Sequence, residues 1–163
     1  MRRWVALVLC SLLAACASQR TLQNPGAAYS VNVIGQDGWE VVEPGSADAA
    51  WWNAELRSTI YADSQCGTQY EDSTLDRLAT HLTSGLDNSQ EVERSELFVG
   101  ERAALLRVVE GRLDGVPVRI AAVVFKRNRC NFDLLFIAPP HHYEEGRAVF
   151  MGAVQSFKPT DQG

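Results

Sequence analysis

Residues 101–140 read ERAALLRVVEGRLDGVPVRIAAVVFKRNRCNFDLLFIAPP, three apolar runs parted by two turns. The first run, Ala103 to Val109, passes through Leu113-Asp114-Gly115 into a second from Val116 to Lys126. Arg127-Asn128-Arg129 then leads into a third from Cys130 to Ala138. β-Branched, aliphatic and aromatic side chains fill these runs and suit a pleated, half-buried surface. Gly and Asn in the gaps tolerate the positive φ that tight hairpin turns require, so the stretch predicts an antiparallel meander. In the middle run Val118, Ile120, Ala122 and Val124 point one way, while Arg119, Ala121, Val123 and Phe125 point the other. Both sets are largely apolar. Such a strand needs cover on both faces, or cover on one and a partner on the other, and is expected at the centre of the sheet. Pro139-Pro140 ends the third run, because proline cannot donate to a ladder.

Working outward, Tyr143 to Phe157 places Phe150, Ala153, Val154 and Phe157 on one helical face, with Glu144 and Glu145 in the first turn, where the helix dipole favours acids. On the other side, Glu91 to Val99 is expected as a strand after a loop at Asp87 to Gln90. Ser73-Thr74-Leu75-Asp76 predicts a helix N-cap with an acidic partner three residues on. Leu75, Leu78, Ala79, Leu82 and Leu86 follow at helical spacing, with His81 at the edge of the stripe and Gly85 at its end. Ala54 to Tyr61 is expected as a strand, with Asp63 to Gly67 as its tight exit. Earlier strands are expected over Tyr29 to Ile34 and Gly38 to Val42, with a turn at Gly35 to Gly38 and a break at Glu43-Pro44-Gly45-Ser46. The fold class is therefore α+β, an antiparallel β-sheet meander covered by two main helices.

The N-terminus has a different character. Met1-Arg2-Arg3 is a short basic start, Trp4 to Leu13 is apolar, and Leu13-Ala14-Ala15-Cys16 follows at once. This resembles a bacterial lipobox, which implies cleavage before Cys16 and acylation of its thiol. Two or three acyl chains hold a protein stably on a bilayer where one does so only marginally. Ala17 and Ser18 follow the cysteine in place of the Asp that signals inner-membrane retention in enterobacterial lipoproteins, so the resemblance implies the periplasmic face of the outer membrane. The expected organisation is a signal peptide over 1–15, a tether over 16–28, a single domain over 29–158 and a polar tail over 159–163.

The whole chain of 163 residues is 46% hydrophobic and 21% charged, a globular composition too short for two ordinary domains. Cleavage removes Arg2 and Arg3 and no acid, taking the basic count from 15 to 13 against 20 acids, a balance of −7. A body so acidic has no electrostatic reason to bind nucleic acid. Lys126-Arg127-Asn128-Arg129 reads as a solvated hairpin tip. With Cys10 in the signal and Cys16 acylated, Cys66 and Cys130 remain, and a disulfide is the economical reading in an oxidising compartment. The rivals are a reactive Cys66 thiol with His81 as its base, or a two-Cys metal site.

Two further features bear on function. Trp51-Trp52 could stack a ligand such as a cell-wall fragment, or could be one core and one rim residue. His141-His142 beside Glu144-Glu145 has the chemistry of a zinc or copper site, but adjacent His residues diverge and the H-E-x-x-H spacing is absent, so an exposed helix start is the simpler reading. The chain has no G-x-S-x-G, P-loop or G-x-G-x-x-G, so no catalytic residue, metal or cofactor is expected.

Gly38-Trp39 near the start and Ala153-Val154-Gln155-Ser156-Phe157 at the end of the last helix, framing strands, a helix and a long meander, resemble the PsbP-like and DcrB-like α/β sandwich. The resemblance covers about Tyr29 to Lys158. It implies an accessory or binding subunit and, in bacteria, often a lipoprotein. The expectation is a non-enzymatic envelope module with an envelope protein partner. The alternative is an envelope enzyme or carrier using Cys66 and His81, or the Trp51-Trp52 surface, on cell-wall or lipid material.

Overall fold

A computed structural model describes residues 27–33, 38–68 and 73–160. The strands are β1 (Tyr29–Ser30), β2 (Trp39–Val42), β3 (Ala49–Asn53), β4 (Ser58–Cys66), β5 (Asp87–Val99), β6 (Arg102–Leu113), β7 (Val116–Arg127), β8 (Cys130–Ala138) and β9 (Lys158–Pro159). Helix α1 (Leu75–Leu82) lies between β4 and β5, and α2 (Tyr143–Ser156) follows β8. Seven strands form one antiparallel sheet in the order β2-β3-β4-β8-β7-β6-β5, and β1 pairs with β9. The expected α+β class and the meander of β6, β7 and β8 are present. Asp114, Gly115 and Asn128 take positive φ at the two hairpin turns. The middle strand of the sheet is β8 rather than β7, because β4 returns to pair with β8 across its whole length.

Both faces of β7 are covered, each by its own helix. On one face Ala121, Val123 and Phe125 join Leu106, Phe132, Leu134 and Phe136 beneath Phe150, Ala153 and Val154 of α2. On the other, Val124 and Leu105 pack under Leu75, Leu78, Ala79 and Leu82 of α1. The two helices therefore sandwich the sheet. The α2 face is the larger core, with Phe136 stacked on Phe150 at 5.7 Å and Phe125 on Phe132 at 5.0 Å. Gly146 lets α2 come down on this layer. A Cβ there would lie 2.5 Å from Phe136 Cζ, inside any real contact.

The terminal signatures have physical roles in this core. Gly38 has φ +94°, and Trp39 leans on Phe136 with ring centroids 6.4 Å apart. Ser156 Oγ accepts from Asn32 N and donates to Asn32 O, both at 3.0 Å, tying the entering chain to the end of α2. Phe157, buried, stacks on Tyr29 at 4.5 Å.

Several boundaries differ from the sequence reading. Ala54 to Arg57 is a turn, not the start of a strand, because Asn53 Oδ1 accepts from Leu56 N at 2.9 Å and Arg57 takes φ 50°. Asp63 to Cys66 continues β4 instead of turning, since each residue has a partner on β8 from Asp133 to Cys130. The N-cap of α1 is Thr74, whose Oγ1 accepts from Arg77 N at 3.2 Å. Asp76 is thereby freed from a capping box and pairs with Arg94 on β5 at 2.6 Å. Strand β5 begins at Asp87, with register shifts near its start, so the expected loop at Asp87 to Gln90 is strand. Of the described residues 29–33 only Tyr29–Ser30 is strand, and Ile34 and most of the Gly35–Gly38 turn lie outside the described residues. Pro159, expected in the polar tail, pairs with Tyr29 of β1, and Ala28, expected in the tether, is buried. Residues 1–26, with Cys16, lie outside the described residues.

Candidate functional site

Alternation along the strands sends Thr59, Tyr61, Asp63 and Gln65 of β4, and Asp133, Leu135 and Ile137 of β8, to the face that carries α1. That helix packs chiefly over β6 and β7, through Leu105 and Val124. Beside it a groove of about 820 Å³ is left over β4 and β8. Its floor is Tyr61, Asp63, Asp133, Leu135 and Ile137, one wall is Arg77, Leu78, His81 and Leu82 of α1, and the other is the turn Pro44 to Ala47. The volume lies within the range of sites for small organic ligands, and the mixed apolar and acidic lining gives such a ligand both contact area and orientation.

Asp63 and Asp133 are register partners, directly opposite each other on adjacent strands. Like charges so placed destabilise a sheet. Asp133 is only 7% exposed, and its Oδ1 is buried without a hydrogen-bond partner. Burial first, and then the charge of Asp63, push its carboxyl up to about 7. Asp63 is raised as well, by burial and then by Asp48, although Gln65 Nε2 donates to its Oδ2 at 3.3 Å. Asp48 itself accepts from Ser64 Oγ at 2.7 Å. The groove floor therefore holds a carboxyl that exchanges its proton near neutral pH, next to a second acid.

Ile137 connects this groove to a smaller hollow of about 280 Å³, bounded by Trp52, Arg57, Val116, Pro117, Pro139, Pro140 and His141. Trp52 is half-buried there, whereas Trp51 is 6% exposed in the α2-face core. Adjacent residues of a strand face opposite ways, so the two tryptophans form no joint ligand surface, and only Trp52 is available to a ligand.

Cys66 and Cys130 are register partners joined in a disulfide, with Cα atoms 4.0 Å apart. Both point to the face away from the groove, while His81 lines the groove wall. A Cys66–His81 nucleophile pair is not assembled, and the thiol is committed to the bridge. The rings of His141 and His142 lie 4.3 Å apart, and His142 Nδ1 is 3.9 Å from Glu145 Oε2. Among the described residues no group of three His, Cys, Asp or Glu side chains is placed to hold a metal ion.

The sequence hides the acid pair, because Asp63 sits in a stretch of turn-like composition and Asp133 inside an apolar run. A lone acid in Cys130 to Ala138, otherwise almost wholly apolar, was the available signal. Its burial class follows only once β8 is known to be the middle strand.

No protein-family model and no curated protein sequence matches this chain. Solved structures do. The solution structure of the cyanobacterial PsbP protein, CyanoP, from Synechocystis sp. PCC 6803 superposes with TM-score 0.58 at 12% identity, over 90% of this chain and 98% of that one. LpqN of Mycobacterium tuberculosis, described as involved in cell envelope biogenesis, gives TM-score 0.58 at 14% identity, over 83% of this chain and 86% of its own. A Pseudomonas aeruginosa protein of unknown function gives 0.50 at 16% identity, over 76% and 83%. At these identities the likeness is one of fold, and the fold is the PsbP-like α+β sandwich.

Proposed function

We propose that this chain is a lipid-anchored, non-enzymatic binding module of the cell envelope, held at the membrane through Cys16, facing the periplasm from the outer membrane and working beside an envelope protein partner. The observation that carries the reading is the open groove on the α1 face, lined by apolar side chains and floored by an acid pair. The α2 face is filled by its own aromatic core, so the α1 face is the one with room for a ligand. The address is supported by the basic, apolar and Leu13-Ala14-Ala15-Cys16 segments and by the Cys66–Cys130 bridge, which suits an oxidising compartment. The shared fold with an envelope-biogenesis protein is consistent with it.

The intact mass of protein purified from its own envelope tests the address and the staple together. The expected chain begins at an acylated Cys16, and its two remaining thiols resist alkylation until a reductant is added. An unacylated chain that retains residues 1–15, or one whose Cys66 labels without reductant, would overturn the proposal. Capture from solubilised envelopes should return a specific protein, and its absence would count against the partner.

A further inference from the structure

The acid pair points to the class of ligand. Resting on the reading of the groove as a binding site, we infer that it takes a small amphipathic amine, with the ammonium seated on Asp63 and Asp133 and the apolar stem along Leu135, Ile137 and Tyr61. Three observations converge. Asp133 Oδ1 is buried and has no donor, whereas buried acceptors in proteins usually have one. A second carboxylate stands directly across from it, so the unliganded floor concentrates negative charge that an ammonium would offset with charge-assisted hydrogen bonds. The floor beyond the acids is apolar, with Leu78 and Leu82 above it, which suits a hydrocarbon stem rather than a bare ion.

Among the described residues, no cationic side chain that lines the groove is hydrogen-bonded to Asp133 Oδ1. Arg77 and His81 of α1 line the wall, and Arg77 is exposed. Lys126 of β7 directs its Nζ to Ser73 O at 2.6 Å, at the groove's end. Tyr61, next on the same face of β4, offers a hydroxyl and no charge. Burial and then the charge of Asp63 bear most on Asp133; both favour a proton there, and the Asp63 charge also favours a cation. An ammonium competes with the proton, so occupancy should fall as the pH is lowered through about 7.

The test is calorimetric titration of the full mature chain in lipid nanodiscs, with empty nanodiscs subtracted, using hexylammonium, hexanol and hexanoate. Hexylammonium should bind at least about tenfold tighter than hexanol, and hexanoate should not bind. Its affinity should drop by about tenfold or more from pH 8 to pH 5, while that of hexanol stays constant. Asp133→Asn should remove both the preference and its pH dependence, and Asp63→Asn should weaken hexylammonium without abolishing the hexanol signal. Hexanol binding as tightly as hexylammonium, no hexylammonium binding at millimolar concentration, or an affinity unchanged in both variants would overturn the amine assignment. If protein from the envelope nevertheless held a groove-dependent adduct, the binding-module reading would stand and only the ligand chemistry would fall.

Discussion

Replacing Cys66 and Cys130 together by Ala should cost the domain about 4 kcal/mol. The bridge joins residues 64 apart in sequence and closes a loop containing α1 and the whole of β5, β6 and β7. Confining a loop of that length removes unfolded-state entropy worth about 4 kcal/mol at 25 °C. The two cysteines stand opposite each other on paired strands. Cys130 is buried while Cys66 is exposed, so truncating both removes little packing and the entropic effect dominates. A loss of this size in a domain of this length lowers the melting temperature by on the order of 10 to 20 °C. Urea unfolding of the wild-type chain with and without reductant, beside the double variant, measures it. The reduced wild type and the variant should unfold at the same lower urea concentration. Coincident transitions for oxidised and reduced protein would show that the bridge adds no stability.

Asp133→Asn should act in the opposite direction and should do so only above a certain pH. In the folded protein burial and Asp63 hold the Asp133 carboxyl at about 7, far above its ordinary value of 3.8. Below about pH 4 the group is protonated in both folded and unfolded chains and imposes no penalty. Between about 4 and 7 the folded chain holds a proton that the unfolded chain has released, so stability falls as the pH rises through this window. Above 7 the loss is complete and constant. Lifting the carboxyl from 3.8 to about 7 corresponds to a loss on the order of 4 kcal/mol, and the new amide's own unpaired groups return part of it. The variant should therefore be more stable than wild type by about 2 to 3 kcal/mol at pH 8 and nearly equal to it at pH 4. The difference between the two proteins cancels the other titrating groups and is the quantity to follow. A variant less stable than wild type at pH 8 would show that Asp133 already has a cationic partner.

A group that weakens the fold at neutral pH and stabilises a cation if one arrives is the arrangement expected of a binding site, where stability is given up for function. Asp133 is flanked along β8 by Phe132, Leu134 and Phe136, all of which are wholly buried on the α2 face.

The parts of the fold legible in sequence were those with apolar alternation and obligatory turn residues. Val118 to Phe125 required cover on both faces and has it, from α1 and α2. Leu75, Leu78, Ala79 and Leu82 marked a helix that packs through those residues. The edges were less legible because their strands bury little. β5 carries Glu91, Glu93, Arg94 and Glu96 on an exposed outer edge, where charge keeps other chains from pairing with it and hides the period of two. Asp63, Ser64 and Gln65 read as a turn by composition, yet they extend β4 because one side faces the groove and the backbone pairs with β8. The Trp51-Trp52 pair shows the same limit, since its separation into core and groove depends on strand placement, which begins at Ala49 and not after the tryptophans.

The claim on which the functional reading turns is that the α1-face groove is occupied in the envelope. Leu135, half-buried on the groove floor two residues from Asp133, is the position to change. Leu135→Arg fills the groove and supplies its own guanidinium to the acid pair, while the α2 core on the other side of the sheet is untouched. Native mass spectra of wild-type and Leu135→Arg chains, each extracted gently from its own envelope, make the comparison. Wild type should retain a non-covalent adduct that the variant lacks, with the bridge and the urea transition preserved in both. Identical spectra from the two chains, with or without an adduct, would contradict the groove as the binding site.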